Sequence, residues 1–284
     1  MRSLTVEIEG GVADRVIAPL GLTSPHGAVC ALTVGGGQIE GTACEPELGL
    51  AAAVIRPGRG PLALHYAVAP APDGTAYPEA AFRPRVTRHS LAAGPLADAS
   101  RRIADAAGGG LAGIAALVAE TEARFAYDHP DIRFTDGLDH VPHLTCGLTP
   151  GSCVDINTYL VASLRAAGFE AAYIYGYFFP MEKGGTTHDG HCWVVTRHDG
   201  QVQEWDIAHH LKAGLGPTRP AANPRPGERI ALSHSMDHRY RVAGHTVALR
   251  ILGEPMLLVS GRAEAVTLRA SLSAPGLQPA GADA

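Results

Sequence analysis

Cys153 is the residue in this sequence best placed to act as a nucleophile. Ser152 before it is a good helix N-cap, and Asp155 stands where a capping box wants its acidic partner. The thiol is therefore expected in the first turn of a helix. There the positive end of the helix dipole favours the thiolate, the reactive species. The backbone N–H of Cys153, at a helix start with no intrahelical acceptor, can donate to a developing oxyanion. Asp155 works against the thiolate if its carboxylate points inward. The competing reading is a buried, inert cysteine, the ordinary fate of an intracellular Cys.

A base and its orienter follow in the chain. Asp199-Gly200 is a strong two-residue hairpin turn, so His198 pairs with Gln201 and Trp193 faces Asp206. His191 lies two residues from Trp193 and shares its face of the sheet. His191 and Asp206 then become diagonal neighbours within reach of each other. A carboxylate there can hold the imidazole tautomer while the other ring nitrogen addresses a thiol. A one-residue slip of the turn would carry Asp206 to the opposite face, and a His–Asp pair on a strand is structural as often as not. Trp193, beside the base, is a candidate to line a substrate cleft. The remaining aromatic residues of Tyr173–Phe179 read as core. Cys192 faces away from His191 by parity and reads as packing.

The elements that must position these residues are legible in outline. Cys153–Ala167 reads as a helix with Ile156, Leu160 and Leu164 on one face, stopped by Gly168. Ala171–Phe179 is a strand, His191–Arg197 a second, and Gln201–Ile207 the strand that returns from the hairpin. Upstream, Leu96–Ala107 and Leu111–Phe125 are helical, separated by Gly108-Gly109-Gly110. The irregular stretch Tyr127–Gly151 is long enough to suggest a functional loop. Short strands at regular spacing fill the first part of the chain, including Leu4–Glu9, Gln38–Cys44 and Leu50–Arg56. Further strands are expected over Thr246–Leu252, Met256–Ser260 and Ala265–Leu272. These spans divide the chain into a β-sandwich-like domain (1–90), a catalytic domain (91–275) and a flexible tail (276–284).

Taken together, these residues resemble the transglutaminase-like superfamily. The matching stretches are Gly151-Ser152-Cys153, the helix end Leu164-Arg165-Ala166-Ala167-Gly168-Phe169, and Tyr173-Ile174-Tyr175-Gly176-Tyr177. His191-Cys192-Trp193-Val194-Val195 and Trp205-Asp206 complete the pattern, which covers roughly Leu111 to His210. The resemblance implies an α+β fold: a β-rich N-terminal domain, then a papain-like core whose nucleophile helix packs on an antiparallel sheet. It implies Cys153 as nucleophile, His191 as general base and then acid, and Asp206 as orienting partner. Peptide or amide hydrolysis is expected ahead of protein crosslinking, since no acidic calcium loop is present. The departures are Ile207-Ala208 after the Asp, where the family commonly has Pro-Thr, and an oxyanion side chain that does not align. His143 and Thr145 are candidates for that side chain and read first as loop residues.

Three other readings compete. Arylamine N-acetyltransferases share the Cys-His-Asp order, but their Cys lies nearer the N-terminus after an Arg-Gly-Gly run absent here. A metal site could draw on His188, Asp189, His191, Cys192, His209 and His210. No HExxH or paired CxxC supports it, so no metal or other cofactor is expected and these histidines read as solvated loop residues. A binding module that kept the triad residues without chemistry is the third. Cys146 lacks a capped helix start, and Asp237-His238-Arg239 reads as an exposed turn.

The whole chain bounds these choices. Its 284 residues carry a net charge of −5 with no basic run, which argues against a nucleic-acid partner. Five cysteines without CxxC spacing point away from a disulfide scaffold and towards a reducing cytoplasm. No signal-like start and no run approaching about 18 apolar residues is present, so no membrane partner is expected.

Overall fold

The structure, a computed structural model, describes residues 1–10, 14–221, 223–242 and 244–273. The expected tail 276–284 lies outside the described residues. The chain forms two compact units, each assembled from separate stretches. One, the β unit, contains Met1–Pro78, Tyr175–His191 and the stretch from Pro226; the other, the helical unit, contains Glu79–Ile174 and Cys192–Arg225. The sequence reading divides the chain linearly near residue 90, whereas strand pairing joins the first strand to the last one among the described residues. Strand Thr267–Leu272 lies antiparallel to Arg2–Glu9, with Leu4 opposite Leu272 and Ile8 opposite Leu268.

The β unit is a sandwich built by alternation. Along Arg2–Glu9, Leu4, Val6 and Ile8 are buried. They stand opposite Tyr66, Leu64 and Leu62 of strand Leu62–Ala69, so one face of this sheet is continuously apolar. A second sheet of five strands contributes Val16, Ala18, Ala53 and Ile55 to the same core. Strand Arg15–Pro19 is absent from the sequence reading because both its faces are covered. Val16 and Ala18 enter the main core, while Ile17 packs with Tyr240, Val242, Val247 and Leu249 of the ribbon His238–Val242/His245–Leu249. A strand buried on both sides shows no alternation.

The helical unit holds Gly94–Ala106, Gly110–Glu122, Cys153–Ala166 and Ile207–Ala213 with the hairpin strands. Gly108, Gly109 and Gly110 all have positive φ, the turn that only glycine makes without strain between the first two helices. Helix Cys153–Ala166 is buried at nearly every position through Leu164, on all sides and not along one stripe. It ends as expected at Gly168 (φ 89°), with Phe169 N–H donating to Leu164 O at 3.0 Å. Arg165 Nε donates to Ala171 O at 2.9 Å and ties the helix end to the next strand. Burial pushes this guanidinium down to about 10, which leaves it charged at neutral pH. Among the described residues no helix is long and apolar enough to cross a membrane.

Candidate active site

Cys153 is the first residue of its helix and is 8% exposed. Ser152 precedes it in extended conformation, and Asp155 Oδ2 accepts from Ser152 N–H at 3.0 Å and Ser152 Oγ at 2.8 Å. The capping box expected from the sequence therefore forms. The Gly of the Gly-x-Cys motif has a steric cause: a Cβ at Gly151 would come within 2.7 Å of the Phe125 ring and 3.1 Å of Asp155 Cβ. Phe125 is held in place by edge contacts with Phe134 and Tyr159, at centroid distances of 5.6 and 5.7 Å. A glycine there lets the chain pass between that cluster and the helix start.

The hairpin forms in the expected register. Asp199 and Gly200 both take positive φ, His198 pairs with Gln201, and the ladder runs to Val194 opposite Trp205. The returning strand stops there, however. Asp206, expected within that strand, is the N-cap of helix Ile207–Ala213, and its Oδ1 accepts from His209 N–H at 3.0 Å. An Asp before an apolar-polar run that ends in Gly214 is a helix start. Asp206 is fully buried, and its Oδ2 lies 2.8 Å from His209 Nδ1. Buried carboxylates need such partners.

Cys192, read from the sequence as packing, is fully buried and lies in the surroundings of Cys153. Asn157 stands one helical turn after Cys153 on the same face. Its Nδ2 donates to Cys192 O at 2.9 Å and to Cys192 Sγ at 3.3 Å. Burial, and after it a side-chain hydrogen bond with Cys153, push the Cys192 thiol well up from its ordinary range. Cys192 therefore stays a thiol at neutral pH. The signal available in the sequence was Asn157 itself, a polar residue at i+4 from the thiol in a helix buried on all sides.

His191 ends the middle stretch of the β unit and opens strand His191–His198; its ring lies 6.3 Å from that of Phe178, centroid to centroid. It is 7% exposed. Trp193, expected to line a cleft, is fully buried: it offers no surface to a ligand and belongs to the core. His209 and His210 lie in a helix, not in a solvated loop. His210 is buried, with Nδ1 2.8 Å from Asp206 O and Nε2 accepting from Arg219 N–H at 3.5 Å. His238, expected in an exposed turn, is fully buried, with Nε2 3.0 Å from His234 O. Thr145 and Cys146 are exposed, 3.6 Å apart, and His143 is half-buried. No disulfide joins any of the five cysteines among the described residues.

Residues 97–205 match the family model of the transglutaminase-like superfamily. No curated protein matches the chain at a significant level. Among solved structures, a candidate cysteine protease from Cytophaga hutchinsonii shares the fold over 98% of this chain and 91% of its own. Its TM-score is 0.53 and its identity 11%. The periplasmic domain of TgpA from Pseudomonas aeruginosa matches 75% of this chain and 88% of its own, with TM-score 0.38 and 13% identity. A candidate protease from Parabacteroides distasonis matches 79% of this chain and 49% of its own, with TM-score 0.33 and 14% identity.

Proposed function

We propose that this chain, whose residues 97–205 match the transglutaminase-like family model, cleaves an amide bond with Cys153 as nucleophile, His191 as base and Asp206 as orienter. The observation that carries the reading is the placement of Cys153 at the capped start of a buried helix. The helix dipole and the N-terminal amides favour an anion at that position. His191 takes the thiol proton, and the thiolate sulfur bonds to the carbonyl carbon. Collapse of the tetrahedral adduct breaks the C–N bond, and the same proton passes to the leaving amine. A thioester remains on Cys153. Water then adds to the thioester carbonyl with His191 as base, the S–C bond breaks, and a carboxylic acid leaves. An amine in place of water gives transfer. Peptides or small amides are the substrate class, and thiols without disulfides support a reducing compartment such as the cytoplasm.

The test is iodoacetamide labelling of the Cys153 peptide across pH, in the native protein and in His191→Ala. Labelling that proceeds well below the ordinary thiol range, and is lost in His191→Ala, is the expected result. A thiol that reacts only above about pH 8 in both proteins would remove the activated nucleophile.

A further inference from the structure

The first helical turn holds a conflict. Asp155 is 1% exposed and its carboxylate completes the capping box of the same turn that carries Cys153. A buried anion beside a thiol disfavours the thiolate, against the dipole that favours it. One side chain from far upstream meets that carboxylate. Arg133 Nη1 donates to Asp155 Oδ2 at 2.7 Å and to Ser152 Oγ at 3.2 Å. Its position is built from both sides. Arg133 N–H donates to Asp136 Oδ2 at 2.9 Å, and Asp136 N–H returns to Arg133 O at 3.0 Å. The next residue, Phe134, is seated against Phe125 and Tyr159. Two further carboxylates have partners of their own: Glu120 Oε1 accepts from Arg124 Nε at 2.7 Å, and Asp206 Oδ2 lies 2.8 Å from His209 Nδ1. Cys192 stays protonated.

We propose that Arg133 is a positioning residue for the nucleophile: it fastens the irregular stretch 128–148 to the helix start and cancels the charge of Asp155, so that the dipole acts on Cys153 unopposed. This rests on Cys153 being the nucleophile. It also gives the long loop its task, and it explains how the turn keeps an acidic cap beside an ionising thiol.

The experiment measures the pH midpoint of Cys153 alkylation in four full-length proteins: the native chain, Arg133→Met, Asp155→Asn and the double variant. Thermal melting is followed alongside. Arg133→Met leaves the carboxylate unmatched, so the midpoint rises and labelling at pH 7 slows about tenfold, one unit of pKa. Asp155→Asn leaves the guanidinium unmatched, and the midpoint falls. The double variant returns to within about twofold of the native rate. Arg133→Lys keeps the charge and recovers part of the effect. If both single variants keep the native midpoint, or the double variant stays as slow as Arg133→Met, Arg133 is a structural contact and the proposal fails. Should Arg133→Met not fold, Arg133→Gln takes its place in the single and double variants, and a native midpoint in it overturns the proposal. The differences between variants judge Arg133; the absolute midpoint of the native protein, with His191→Ala, judges the nucleophile.

Discussion

The sandwich core around Leu64 and the first turn of helix Cys153–Ala166 are both buried, and they are buried for opposite reasons. In the sandwich, Leu4, Val6, Ile8, Leu62, Leu64 and Tyr66 fill one face of paired strands, and what matters is volume. At the helix start, Ser152, Cys153, Asp155, Asn157 and Thr158 are all buried, and Asp155 Oδ2, Asn157 Nδ2 and Thr158 Oγ1 each meet a specific partner. Volume tolerates conservative exchange, whereas partnership does not. A polar interior of this kind gives specific chemistry at a cost in tolerance, and it sits where the thiol is.

The contrast can be broken at its largest expected effect first. Cys153→Ala should lower hydrolysis of a peptide p-nitroanilide library by about 10³-fold or more while the melting temperature is kept; residual activity within about tenfold would move the nucleophile elsewhere. Leu64→Ala should cost about 2–5 kcal/mol in urea unfolding, and Leu64→Met less than about 1.5 kcal/mol. If the two cost the same, volume is not what the sandwich core requires. Asn157→Leu nearly conserves volume yet removes the donor to Cys192 O. A loss of about 1–3 kcal/mol is expected, and a neutral result would erase the difference between the regions. Ser152→Ala should cost about 0.5–2 kcal/mol. The smallest expected effect concerns Cys192. Burial and the Cys153 thiol hold its pKa up, so peptide mapping at neutral pH should find it unlabelled while Cys153 is carboxamidomethylated.

Much of the frame around the site is legible one element at a time. The helix from Cys153 to the glycine stop and the hairpin register through Asp199-Gly200 depend on neighbours in sequence, and both form as read. Asp206 shows where local reading failed even though the signal was local. Its cap to His209 N–H competes with strand continuation, and the N-cap pattern was present in Asp206–Gly214. Trp193 failed for a different reason: aromatic residues beside a base look alike in sequence whether they line a cleft or a core, and burial decides.

Residue type and short-range spacing therefore determined by themselves that Cys153 begins a capped helix and that a His-bearing strand turns back at Asp199-Gly200, and they carry the resemblance that the family model matches over residues 97–205. Capping, strand parity and turn chemistry act over a few residues, so they can be read in one dimension. Which side chains meet the buried polar atoms was decided by tertiary structure alone. Arg133 reaches Asp155 across 22 positions and Asn157 reaches Cys192 across 35. No local periodicity marks such pairs, because what selects them is the need to satisfy a buried charge or carbonyl after the elements have packed.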